Sequence, residues 1–334
     1  MATARQAVGT VQDAAVESVS WLQRTLIGAG ALAIGAAMLT LGGTATLAHI
    51  ITRPRRLRTV PARDVDRTVE EVCFATTDGL RLCGWCLTPA VPRAMLVVAH
   101  GFAMHRSELL DLARALVARD FAVLLFDFRA HGASDGVRST VGYREANDIT
   151  AAIDYLHYRP DLAGLPIGVA GISMGAAAAI LAAARDERIG AVVADSSFAT
   201  LTDIACAGIR AVYHLPAFPF GLLSIRFCEL LTHARIHENR PVDVIAALAP
   251  RPLLIIHGAD DQFVPVAHAH RLYAAARAPK ELWLVPGDGH AATFALHLDE
   301  YATRLDHFFT SALASTPADQ VRDDAVSDLS SDAA

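Results

Sequence analysis

Ser173 lies in the run Gly171-Ile172-Ser173-Met174-Gly175, with a glycine two residues to either side. A serine hydroxyl is a weak nucleophile until a neighbouring base takes its proton, so its setting decides whether it can do chemistry. Before it, Leu165-Pro166-Ile167-Gly168-Val169-Ala170 is short, apolar and partly β-branched, which reads as a buried strand; after it, Ala176 to Arg185 is almost all Ala, Ile and Leu, which reads as a helix. A serine on a sharp strand-to-helix turn is lifted clear of its sheet. The N–H of the next residue, Met174, then stands at a helix amino terminus, where it can donate to a developing negative charge. The two glycines fit because a Cβ on either side would crowd so tight a turn. The chemistry such a serine serves is attack on a carbonyl carbon.

Attack needs a base, and the base needs an orienting acid. The chain has 14 histidines, so residue type alone selects none. The elements must do it. Val69 to Thr76 and Leu80 to Leu87 read as strands joined at Asp78-Gly79, a hairpin turn signal. Ala94 to Ala99, Phe121 to Phe126, Ala191 to Ala194, Leu253 to Ile256 and Glu281 to Val285 are further apolar runs. Helical stretches at Ser107 to Arg119, Glu145 to Tyr158 and about Ala295 to Phe309 lie among them. This alternation predicts an α/β fold, a mostly parallel sheet with helices on both faces. Ligand chemistry is then expected at the carboxyl ends of the strands. The polar runs His100-Gly101-Phe102, Asp127 to Ser134, Asp195, His257 to Pro265 and Gly287 to His290 all fall at such ends.

With the nucleophile, acid and base in that order, the chain resembles the serine hydrolases of the α/β-hydrolase family from about Val69 to Phe309. The resemblance implies that fold and a Ser-Asp-His triad. The family's H-G-x-x-D-x-x-V-P is matched by His257-Gly258-Ala259-Asp260-Asp261-Gln262-Phe263-Val264-Pro265, which puts the acid at Asp261. Asp260 is the rival, and Asp195 a third candidate, because some members carry the acid after an earlier strand. Gly287-Asp288-Gly289-His290 fits the family's turn before the base, so the base is His290, while His257 is read as structural. His100-Gly101-Phe102 matches H-G-x, so Phe102 and Met174 supply the N–H groups of the oxyanion hole. The family's D-x-R-G-H-G-x-S is matched at Asp127, Arg129, His131, Gly132 and Ser134, with Ala130 in place of a glycine.

Other patterns are weaker. Gly28-Ala29-Gly30-Ala31-Leu32-Ala33 mimics a dinucleotide fingerprint but follows no strand. Cys83-Gly84-Trp85-Cys86 mimics a redox C-x-x-C, but in a strand residues three apart point to opposite faces. His233 and His237 are four apart on an expected helix, yet Ala234 stands where a zinc peptidase needs glutamate. An H-x-x-x-x-D pattern from His100 fails because residue 105 is His. No metal or cofactor is expected.

The chain has 334 residues, 53% hydrophobic, with mean hydropathy +0.34 and a formal net charge of −6. That charge gives no support to a nucleic-acid partner. Five cysteines, an odd number, argue against a disulfide framework and for a reducing compartment. Residues 26–51 contain no Asp, Glu, Lys or Arg, enough to cross a bilayer once. Arg53, Arg55, Arg56, Arg58 and Arg63 follow the span, while Arg5 and Arg24 precede it, so the positive-inside rule places the larger part in the cytoplasm. The expected organisation is an amino-terminal segment 1–25, a transmembrane helix 26–51, a basic linker 52–68, the catalytic domain 69–313 and a disordered acidic tail 314–334. Between strands, residues 199–248 exceed a simple crossover and are rich in Leu, Phe and Pro. They are expected to form a small helical lid, which with the membrane anchor points to a lipophilic or lipid ester as substrate.

Overall fold

A computed structural model describes residues 2–56 and 69–314. Most of the expected linker and all but the first residue of the expected tail lie outside the described residues. The chain divides into two compact units, the second beginning at Ala48.

The first unit is helix α1 (Ala2–Thr52) up to residue 47. Within α1, Gln23–Thr52 is long and apolar enough to cross a membrane, with mean hydropathy 1.8. The expected span falls inside it. The second unit starts earlier than expected, because the last turn of α1 is built into it. Ala48 is fully buried in a cluster with Ile225 and Cys228. The Thr52 carbonyl accepts the Ser139 N–H at 2.8 Å, and its hydroxyl accepts from Arg138 at 2.8 Å.

The second unit carries strands β1 (Val69–Ala75), β2 (Arg81–Leu87), β3 (Ala94–Ala99), β4 (Phe121–Phe126), β5 (Ile167–Ile172), β6 (Ile189–Asp195), β7 (Leu253–Gly258) and β8 (Lys280–Val285). They form one sheet in the order β1-β2-β4-β3-β5-β6-β7-β8. β2 pairs antiparallel with β1 and β4; every other pairing is parallel. The helices are α2 (Leu110–Val117), α3 (Glu145–His157), α4 (Met174–Ala183), α5 (Leu201–Tyr213), α6 (Ala217–Thr232), α7 (Pro241–Val244), α8 (Ala267–Ala275), α9 (Thr293–Leu296) and α10 (Leu298–Ala314).

Side chains alternate across the central strands. Met95, Val97 and Ala99 join one core cluster, and Leu96 and Val98 the other. Both faces are therefore covered, which is why these strands read as unbroken apolar runs rather than alternating ones. All ten residues of α4 are buried, as expected of a helix apolar on every side.

Several expectations change. The helix read from Ser107 begins as a 3-10 turn, Arg106–Leu109, and the last helix breaks at His297 into α9 and α10. α8 carried too weak an apolar period to be anticipated. Cys73 and Cys83 are direct partners across β1 and β2 and form a disulfide, contrary to the expectation from an odd cysteine count. Cys86 is free and buried, so no C-x-x-C pair exists. α6 ends at Thr232, with His233 in the left-handed conformation closing it; His237 lies beyond, in a 3-10 turn bonded to Glu229. The two do not share a helix face, which removes the metal-ligand spacing.

Candidate active site

Ser173 joins β5 directly to α4 at φ 54°, ψ −113°. A non-glycine residue there is strained. The surroundings hold it. Its N–H donates to the Asp195 carbonyl at 2.8 Å, and its own carbonyl accepts the N–H groups of Ala176 and Ala177. A Cβ on Gly171 would stand 2.3 Å from the Gly175 carbonyl oxygen, and one on Gly175 would stand 2.4 Å from that of Ala99. The two glycines are therefore the condition for the turn.

The Ser173 hydroxyl is 2.9 Å from Nε2 of His290. Nδ1 of His290 is 2.7 Å from Oδ2 of Asp261. A carboxylate only accepts, so Nδ1 carries the proton and Nε2 turns its lone pair to the serine. The other oxygen of Asp261 accepts the N–H groups of Phe263 at 2.9 Å and Val264 at 2.8 Å, which fixes the carboxylate plane. Asp260, the rival acid, is exposed and bonds through its backbone to Asp288. Asp195, the third candidate, is fully buried but makes no hydrogen bond to His290. The geometry thus brings together Ser173, His290 and Asp261.

His257 is fully buried and donates from Nε2 to the Val264 carbonyl at 2.7 Å. Burial lowers its pKa, so it stays neutral and ties the acid loop to β7. That is the structural role expected for it.

Phe102 follows β3. A Cβ on Gly101 would stand 3.4 Å from that of Ser173, so this loop runs against the nucleophile. Among the described residues, no protein acceptor takes the Phe102 N–H. Met174 is the first residue of α4, where a helical N–H has no intrahelical acceptor. The loop is held on both sides of Phe102. His100 donates from Nδ1 to the Gly101 carbonyl at 2.7 Å, and His131 Nε2 accepts the Ala103 N–H at 3.3 Å. Burial, reinforced by His131, pulls the His100 pKa down to about 3. Burial also lowers that of His131.

The Asp127 to Ser134 segment is scaffolding. Asp127 pairs with Arg106, and Arg129 with Asp148 and Asp78. Ala130 sits at φ 62°, which explains why the resembled motif carries glycine there.

The insert, residues 199–248, carries α5, α6 and the short α7. Its apolar side packs on Ala177 of α4 and Val264 of the acid loop, while Phe218 and Leu222 are exposed. A cavity of about 740 Å³ opens at the opposite, amino ends of β7 and β8, between Pro252, Pro279 and Arg304. It contains no residue of the triad arrangement.

Two contributors escaped the sequence. The Phe263 ring lies tilted against the His290 ring, and nothing in its type or spacing announced it. Ser196 accepts the Ala291 N–H at 3.1 Å; its role depends on a positive φ of 54°, which serine does not signal.

Residues 90–218 match the family described as "Serine aminopeptidase, S33". The chain is 32% identical to the protein YfhR of Escherichia coli over 254 residues, covering 74% of this chain and 82% of that one. It is 25% identical to the α/β hydrolase domain-containing protein WAV2 of Arabidopsis thaliana, covering 85% and 96%. Its fold resembles that of an esterase from Pyrococcus furiosus, with a TM-score of 0.66 at 26% identity, covering 79% of this chain and 99% of the esterase.

Proposed function

Because the chain belongs to the α/β-hydrolase family, we propose that it is a serine hydrolase of carboxylic esters with lipophilic acyl groups, working through Ser173, His290 and Asp261. The observation that carries this reading is the unbroken hydrogen-bond line from the Ser173 hydroxyl through His290 to Asp261, at 2.9 and 2.7 Å.

His290 Nε2 takes the hydroxyl proton as Ser173 Oγ attacks the carbonyl carbon. Asp261 orients the ring and stabilises the imidazolium. The tetrahedral oxyanion is received by the N–H groups of Phe102 and Met174; one such donor is worth roughly 10²–10³ in rate. Collapse expels the alcohol, which leaves with the proton from His290. Water, giving a proton to His290, then attacks the acyl-enzyme; the carboxylic acid is released and the proton returns to Ser173 Oγ.

The exposed Phe218 and Leu222 of α6 support a lipophilic substrate, and the span-length helix supports a single-pass membrane anchor. The arginines after residue 52 support a cytoplasmic catalytic unit. The Cys73–Cys83 bond supports the opposite topology, since disulfides persist in oxidising compartments. A reporter fused after Ala334 decides between them.

The reading is tested by fluorophosphonate labelling of wild type and Ser173→Ala, followed by p-nitrophenyl esters of rising chain length. Labelling is expected only in wild type, and Ser173→Ala should lower kcat by about 10⁴ or more. An unlabelled, folded wild type would sink the proposal and leave a catalytically idle membrane-bound module. Matched ester, thioester and amide substrates test the bond class. The match to a family described as serine aminopeptidases favours amides as the second reading, and amide turnover above ester turnover would establish it.

A further inference from the structure

Asp195 ends β6, is fully buried, and has no part in the steps above. Its carboxylate accepts two hydrogen bonds, from the Ser196 hydroxyl at 2.9 Å and from the Tyr301 hydroxyl at 3.1 Å. Burial raises its pKa to about 6, against the hydrogen bonds from Ser196 and Tyr301. Its main-chain carbonyl accepts the N–H of Ser173 at 2.8 Å.

The Ser196 hydroxyl has one proton to donate, and it points to the Asp195 carboxylate. The oxygen then has a lone pair for the N–H of Ala291 at 3.1 Å. Ala291 follows His290 directly. Both Ser196 and Ala291 hold positive φ, 54° and 51°, a conformation L side chains disfavour, so this bond joins two turns that need holding. An ionised acceptor orients the hydroxyl proton more firmly than a neutral one would.

Resting on the serine-hydrolase reading, we propose that Asp195, acting through Ser196, is a positioning residue for the base. It fixes the peptide after His290 from the same strand end that fixes the N–H of Ser173. Nucleophile and base thereby share one support. Asp195 does not replace the acid; Asp261 is the carboxylate that touches the ring.

The test uses the full chain with p-nitrophenyl butyrate as substrate and a fluorophosphonate as probe. Ser196→Ala removes the relay. Ser196→Gly removes it too, while suiting the positive φ, so it serves where alanine lowers stability. Tyr301→Phe empties the other carboxylate oxygen without touching the base loop; with every variant assayed at about pH 8.5, where Asp195 stays ionised without that bond, it is the structural control. Both Ser196 variants should lose about 10–100-fold in kcat, the scale of a displaced catalytic group, with KM within twofold. The rate of fluorophosphonate labelling should fall in parallel. Tyr301→Phe should keep kcat within about twofold even where its melting temperature drops. Undiminished kcat in Ser196→Gly, or equal losses in Ser196→Gly and Tyr301→Phe, would overturn the inference while wild-type labelling left the hydrolase reading standing. A wild type that takes no label would overturn both.

Discussion

The ring of Phe263 lies with its centroid 4.9 Å from that of His290, tilted by 53°. It is also 58% exposed, so an apolar surface is open to solvent beside the proposed base. The Phe263 N–H bonds to Asp261, and a side-chain substitution leaves that bond intact. Phe263→Ala should therefore act on binding. A partly buried ring contact contributes about 1 kcal/mol, or roughly fivefold in affinity. For p-nitrophenyl hexanoate KM should rise about that much, with kcat little changed, and for the acetate the effect should be under twofold. Steady-state kinetics on the two esters decides it; equal losses on both would show that the ring only supports the base.

Gly171 and Gly175 are predicted to be intolerant of even one added carbon. A Cβ at either would approach a backbone carbonyl oxygen to 2.3–2.4 Å, and backbone cannot swing aside as a long side chain can. Gly171→Ala or Gly175→Ala should cost about 3 kcal/mol or more, seen as a large drop in melting temperature or loss of soluble protein. Gly208, with nothing within 4 Å of an added Cβ, is the control. A folded, active Gly175→Ala with an unchanged melting temperature would refute this account of the turn.

Much of this was legible because chemistry and topology constrain each other. The apolar runs named the central strands, since strands covered on both faces admit little else. The polar runs at their carboxyl ends were then where a nucleophile, base and acid were expected to meet, and Ser173, His290 and Asp261 do meet. What was not legible depends on main-chain geometry. Ser196 and Ala291 matter through positive φ and a side-chain-to-backbone bond, and neither residue type advertises that. The Cys73–Cys83 bond was missed because it follows from strand register, which a count of cysteines does not contain. The docking of Ala48 and Thr52 on the catalytic unit was hidden because the span's apolar composition continues without a break into its last turn.

Ala130 offers a stabilising change. Its φ of 62° lies in the left-handed region, which costs an L-residue roughly 1–2 kcal/mol relative to the right-handed one. Glycine pays part of that back through greater freedom of the unfolded chain. Ala130→Gly should stabilise by about 0.5–1 kcal/mol, raising the melting temperature by roughly 1–4 °C. Activity should not change, because Ala130 is buried in the strand-bracing segment, where its N–H bonds to the Asp135 carbonyl. A lower melting temperature for Ala130→Gly would mean that the lost methyl contact outweighs the relief of φ.

His100 predicts how the site responds to acid. It is fully buried, with Nδ1 donating to the Gly101 carbonyl and Nε2 accepting the Phe128 N–H at 3.1 Å. The Phe128 bond needs the neutral ring, and the Gly101 bond fixes the proton on Nδ1. Burial and His131 push its pKa down to about 3, against the opposing pull of Asp127 and the Gly101 carbonyl. The unfolded chain would bind that proton near the ordinary value of about 6.5, so between these limits the unfolded state holds more protons than the folded one. Stability from this group is thus complete above about pH 6.5 and is lost as pH falls toward 3, on the order of 5 kcal/mol over the whole window. Protonation would also break the Phe128 bond and free the loop that presents the Phe102 N–H. The direct check is NMR of the imidazole nitrogens: His100 should remain the neutral Nδ1–H tautomer from pH 8 down to about 4.5 in folded protein. A titration of His100 with its midpoint above pH 5 would refute the assignment, whatever the melting curve does.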